Sequence, residues 1–173
     1  TSGLVPGIIM FKLLSLTIGS NGLIRTSQDW TETMRWESYS LTLLPLIGLS
    51  ITLASAYRLA KFNIDENQQD SFIGLPTPAN TLLILSIPLI LHFQFSITVS
   101  NLFSNVWFLV GVTLLSTYLL NSKIKLFALK FKSWNFKNNA MRYLFLIASA
   151  ILLVVFQFIA IPIIIIIYIL VSL

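Results

Sequence analysis

The chain contains no cysteine, which excludes disulfides and thiolate metal sites and leaves nothing in it to mark a redox compartment. Charge is also scarce: Asp, Glu, Lys and Arg make up 10% of the 173 residues, against about 25% in soluble globular chains. Seven Gly and six Pro exclude a collagen-like or Pro/Gly-rich disordered chain. The first residues carry no charged n-region and no cleavage site, so the chain does not open with a signal peptide. It begins with Thr1 and is apolar at once, which reads as a fragment starting inside or just before a transmembrane helix.

What is present is apolar. Hydrophobic residues make up 56% and the mean hydropathy is +0.87. A soluble domain of this size could bury a good core but could not hide this much apolar surface from water. Lipid is the expected solvent. The net charge of +5 could point to nucleic acid or to an anionic membrane surface. Position decides: six of the eleven basic residues fall between Lys123 and Arg142, beside apolar runs, as in cytoplasmic loops of membrane proteins. No spaced basic and aromatic groove suits a nucleic acid.

A hydrocarbon core about 30 Å thick takes about 20 helical residues. With that ruler the chain reads as one all-α, polytopic transmembrane bundle of about six spans, at about 4–18, 40–60, 78–95, 106–120, 140–158 and 161–173. Pro45 falls in the first turns of the second span, where a missing N–H costs least. Pro88 lies inside the third and predicts a kink. Residues 140–173 are too long for one simple crossing, so a tight hairpin near Pro162 is expected. The segment 96–105 reads as an uncharged loop.

Orientation follows from the Lys/Arg count. One side holds Arg58, Lys61, Lys123, Lys125, Lys130, Lys132, Lys137 and Arg142; the other holds Arg25 and Arg35, diluted by Asp29, Glu32 and Glu37. The first side is assigned as cytoplasmic, Lys12 is expected to snorkel to the outer interface, and Trp30, Trp36 and Trp107 read as outer-interface anchors.

One stretch looks chemically specialised: Tyr57-Arg58-Leu59-Ala60-Lys61-Phe62-Asn63, then Phe72-Ile73-Gly74-Leu75-Pro76-Thr77-Pro78. Arg58 and Lys61, three apart, share a helix face at the cytoplasmic end of the second span. Two cations there suit a phosphate-bearing substrate, Arg as a fork and Lys as a point charge. Gly74 admits close backbone approach, and Pro76 presets the entry to the next helix. The same residues also fit a plainer reading, as snorkelling anchors and an ordinary turn. Asp65, Glu66 and Asp70 sit in a Gln/Asn-rich loop and read as solvated. His92, the only histidine, falls near the outer interface with no partner ligand, which gives it a packing role.

YRLAKFN followed nine residues later by FIGLPTPAN resembles the paired motif R-x-A-R-F-N and F-x-G-L-P-x-P of bacterial phosphatidylserine synthases, within the CDP-alcohol phosphatidyltransferase superfamily. Lys61 stands in place of the second Arg, keeping charge but losing the bidentate fork. Thr1-Ser2-Gly3-Leu4-Val5-Pro6 is similar to the segment just after that family's catalytic motif. The resemblance implies a CDP-alcohol phosphatidyltransferase-like bundle in a bacterial inner membrane, its site facing the cytoplasm. It implies transfer of the phosphatidyl group from CDP-diacylglycerol to L-serine, releasing CMP. Arg58, Lys61, Asn63, Gly74, Pro76 and Pro78 are the implied substrate-binding residues. The superfamily motif D-x2-D-G-x2-A-R-x8-G-x3-D-x3-D has no match here. The catalytic residues and the ligands of an expected Mg²⁺ or Mn²⁺ would therefore lie upstream of Thr1, and the 173-residue chain is expected to be inactive alone. A homodimer is left open. Two alternatives stand beside this reading: another acceptor such as glycerol phosphate or inositol phosphate, or a non-catalytic transporter or scaffold.

In NSKIKLFALKFKSWNFK, Ile124, Phe127, Phe131 and Trp134 share one helical face flanked by lysines, which suits a short interfacial helix drawn to anionic lipid. Positive-inside retention explains the same lysines without it. If the cluster gathers anionic CDP-diacylglycerol, neutralising Lys123, Lys125, Lys130 and Lys132 in the parent enzyme raises the apparent lipid-substrate requirement; unchanged kinetics in mixed micelles remove the idea.

Overall fold

A computed structural model describes residues 2–19, 43–64, 72–94, 96–126 and 136–172. Helix α1 spans Leu4–Gly19. A 3₁₀ turn, Leu44–Leu49, with Pro45 at its start, runs into α2, Ser50–Ile64. After strand β1, Phe72–Ile73, come α3, Thr77–Phe93, the short α4, Ile97–Phe103, and α5, Val106–Asn121. Strand β2, Lys125–Leu126, precedes α6, Phe136–Phe156, a 3₁₀ turn, Gln157–Ile159, and α7, Ala160–Ser172. The described chain is thus helical apart from one short antiparallel bridge, Phe72 opposite Leu126 and Ile73 opposite Lys125.

Local chemistry sets several boundaries. Pro76 and Pro78 open α3, where absent N–H groups leave no intrahelical bond unmade. The helix runs on through Pro88. Asn105 caps α5, its side-chain oxygen accepting from the N–H groups of Trp107 and Phe108 at 2.9 and 3.4 Å. The segment read as a plain loop at 96–105 forms α4 over seven residues, meeting α5 at a bend of 64°.

Helix α1 is the hub. It packs against the 3₁₀ turn and α2, and against α3 and α5. Its Met10, Leu13, Leu14 and Leu16 meet Ile51 and Ala54 of α2, Ile84, Ile87 and Leu91 of α3, and Leu109 and Leu120 of α5 in one buried cluster. Close approach to α2 depends on small residues: a Cβ at Gly3 or Gly7 would run into Ser55 or Thr52. Lys12 is 3% exposed, so its ammonium lies within the bundle and does not reach outward as a lone helix in lipid would have it.

The C-terminal segment folds back. The rings of Phe145 and Tyr168 lie 5.8 Å apart, whereas 23 residues of straight helix would separate them by about 34 Å. The reversal falls at Gln157, whose φ is +50°. Gln94, capping α3, holds it: its amide nitrogen donates to the Phe156 carbonyl and its amide oxygen accepts from the Ile159 N–H, both at 3.0 Å. Tyr168 and Ile165 then pack on Leu75 and Leu119, with Ala79, Leu83 and Phe145 alongside.

By length and composition Arg142–Ser172 is apolar enough to cross a membrane, as is the bent α4–α5 pair if it counts as one span; α1 and α3 are apolar but shorter. The outside of the bundle is apolar too: Val154 of α6 is 82% exposed, Trp107 of α5 80% and Leu53 of α2 71%.

Gln94→Ala removes both bonds to the turn and is expected to lower stability by about 1–2 kcal/mol, read as a shift in detergent unfolding. No shift would mean that packing alone sets the hairpin.

Candidate functional site

The site grows from the buried face of α2. Ile51, Ala54, Ser55 and Arg58 recur at helical spacing and are all buried, so the helix carries its guanidinium inward at the end of an otherwise small and apolar stripe. Arg58 is 9% exposed, and its Nη2 donates to the Gly74 carbonyl at 3.2 Å.

Gly74 can accept that bond because the chain turns there through φ +73°. A Cβ at this position would lie 2.7 Å from the Leu120 carbonyl oxygen and 3.0 Å from that of Ser122. Glycine therefore meets two demands at once, a left-handed backbone and backbone-to-backbone contact. The turn is strapped to the end of α5: Gly74 N donates to Ile124 O at 2.8 Å and Leu75 N to Leu119 O at 2.9 Å, and β1 pairs with β2 just beyond. Helix α2, the turn before α3 and the segment after α5 are thereby joined around one guanidinium.

Between the end of α2 and the start of α3 lies a cavity of about 180 Å³ lined by Arg58, Leu59, Phe62, Pro76, Thr77 and Pro78. One cation faces apolar walls, and the N-terminal end of α3, with its positive dipole, borders the same space. That combination suits an anionic group carried on an apolar body. The only other polar side chain in the lining is the Thr77 hydroxyl, so these residues can bind and orient but supply no strong acid or base.

Of the residues expected from sequence, Arg58, Pro76 and Pro78 line the cavity and Gly74 fixes the arginine. Lys61 and Asn63 are exposed on the last turn of α2 and lie outside the lining. Leu59, Phe62 and Thr77 were not singled out, although each stands inside the two motifs. Ile124 lies in a non-helical link and Lys125–Leu126 are extended, so an interfacial helix cannot start at Ile124; the rest of that expectation, Phe127 to Trp134, lies outside the described residues. Asp65, Glu66, Asp70, Trp30 and Trp36 lie outside them as well. His92 sits edge-on to Phe93, which stacks on Phe158 at 5.0 Å, at the opposite end of α3 from Arg58. Among the described residues no group of His, Asp or Glu could hold a metal ion.

Gly74→Ala is expected to destabilise the bundle by at least about 2 kcal/mol, from left-handed strain and contact with the Leu120 carbonyl; a loss under half of that in equilibrium unfolding would contradict the assigned turn. In comparisons with known proteins, no family model matches the chain, and neither does a curated protein or a solved structure.

Proposed function

We propose that the chain is the C-terminal, six-span part of a CDP-diacylglycerol–serine O-phosphatidyltransferase, with the Arg58 cavity as one wall of its lipid-phosphate site. The observation that carries the reading is the convergence of both motif halves on one cavity: Arg58, Leu59 and Phe62 from the first, Pro76, Thr77 and Pro78 from the second. Five of the six expected spans fall on an α-helix, the described part of the second falls on a 3₁₀ turn continued by one, and an apolar exterior is what a lipid-embedded enzyme needs.

In this reading Arg58 binds a phosphate oxygen of CDP-diacylglycerol while Leu59, Phe62 and the prolines hold its apolar part. The serine hydroxyl attacks the phosphoryl group on diacylglycerol, a new P–O bond forms, and the P–O bond to cytidylate breaks, releasing CMP. The hydroxyl proton passes to a base outside the described residues. A divalent metal would neutralise the diphosphate, but the described residues do not fit one, and no step is built on it. Ser2 lies at the same end as the cavity, its carbonyl accepting from Thr81 one turn into α3. Lys61 and Asn63, exposed on the last turn of α2, would meet the polar head group in this reading. The site faces the cytoplasm of a bacterial inner membrane.

Lys12 favours a second reading. A cation 3% exposed inside an apolar helix is a mark of proteins that move ions or polar solutes. Lys12→Met separates the two: it leaves lipid-nucleotide binding intact in the synthase and abolishes solute movement in a transporter.

For the purified chain in mixed micelles, CDP-diacylglycerol is expected to raise the unfolding temperature, and phosphatidylcholine is not. Arg58→Ala should weaken the binding about 10- to 100-fold, the loss of one charge-assisted hydrogen bond, with Arg58→Lys intermediate. Equal binding by wild type and Arg58→Ala would sink the proposal. A panel of L-serine, glycerol phosphate and inositol phosphate, assayed for CMP release by the parent protein, fixes the acceptor.

A further inference from the structure

The cavity beside Arg58 is small for the ligand that a lipid-nucleotide enzyme handles. On the scale where about 150 Å³ takes one benzene ring, its volume of about 180 Å³ takes a phosphate and its nearest carbons. Two acyl chains or a cytidine have no room in it. Leu59 is 65% exposed and Phe62 40%, so the α2 wall runs on into the apolar exterior of the bundle. A lipid can therefore leave its chains outside, along that wall, while its phosphate reaches Arg58.

Charge narrows the choice. Arg58, itself buried, is the one charged residue in the lining, and the start of α3 adds the partial positive charge of a helix end. That suffices for the single charge of a phosphodiester. The second charge of a nucleoside diphosphate linkage would share the same apolar space without a cation of its own, which is costly. Lys61, three residues on, is exposed and outside the lining. The walls do not read a base either. Telling cytosine apart takes donors and acceptors along its edge, and the lining offers one hydroxyl, that of Thr77. A base stacked on Phe62 would be held whatever its identity.

We propose that the Arg58 cavity holds the anionic phosphodiester of a phospholipid and takes no account of a nucleotide, so that phosphatidylglycerol and phosphatidylserine occupy it at least as readily as CDP-diacylglycerol. Phosphatidylcholine is turned away, because its fixed quaternary cation would stand beside the guanidinium; the ammonium of phosphatidylserine is offset by its carboxylate. The inference rests on the reading of the cavity as a lipid-phosphate wall and adds a regulation of that site. The proposed product and the anionic lipid of the surrounding membrane compete with the substrate for Arg58. Preference for the nucleotide then has to come from residues other than this lining.

The test uses the full 173-residue chain in micelles of a neutral detergent. Phosphatidylglycerol, phosphatidylserine and CDP-diacylglycerol should each raise the unfolding temperature, the first two at concentrations no more than about three-fold above the third. Inorganic phosphate and CMP, which lack the apolar part, should not compete. Leu59→Trp, at an exposed position where folding is not at stake, should fill the cavity and raise all three concentrations at least about ten-fold. A preference for CDP-diacylglycerol over phosphatidylglycerol of about ten-fold or more would overturn this inference and leave the synthase reading standing. Stabilisation by the two plain phospholipids without CDP-diacylglycerol would overturn the synthase reading and leave this site standing. Competition by inorganic phosphate would overturn lipid as the source of the phosphate. No shift with any lipid, or shifts that neither Leu59→Trp nor Arg58→Ala alters, would overturn both.

Discussion

A guanidinium cannot be buried among helices unless backbone oxygens meet it, and the arrangement around Arg58 follows from that demand. The carbonyl that meets it belongs to Gly74, and this carbonyl is available only because the chain turns left-handed at a residue without a Cβ. The same turn sends its N–H to Ile124 and the next one to Leu119. One residue therefore ties three chain segments, and the cavity wall is a consequence of the tie.

The helices were legible because length and hydropathy are local quantities. The reading at 78–95 became Thr77–Phe93, and that at 106–120 became Val106–Asn121. A fold-back in 140–173 was legible for the same reason, too many apolar residues for one crossing, but it falls at Gln157–Ile159 and not at Pro162, which lies inside α7. The β1–β2 bridge was not. Two-residue strands carry no periodicity of their own and form here because the Gly74 turn delivers Phe72 and Ile73 to Lys125 and Leu126, some fifty residues away. A helical period applied to 124–134 missed that contact. Helix α2 likewise runs to Ile64, past the polar boundary near residue 60, because its end is held by Arg58.

The site was half legible. The motif spacing pointed to Arg58, Gly74, Pro76 and Pro78, which the fold brings together. Lys61 falls outside the cavity because it lies about 60° round the helix from Arg58 on the side away from Leu59 and Phe62. Leu59 and Phe62 flank the arginine at the opposite offsets, but apolar residues at such spacing read as lipid-facing. Lys12 shows the limit of treating each helix alone: in isolation its ammonium would reach for the interface, whereas packing around α1 closes over it.

The proposed function requires that a lipid nucleotide sit against this wall. Photo-crosslinking in membranes with a CDP-diacylglycerol analogue carrying a diazirine near its glycerol, mapped by peptide mass spectrometry, addresses it most directly. Adducts concentrated on Leu59, Phe62 and Thr77, and competed by unlabelled CDP-diacylglycerol, are the predicted result. Adducts spread over the exposed face of α6, or unaffected by competition, would contradict it.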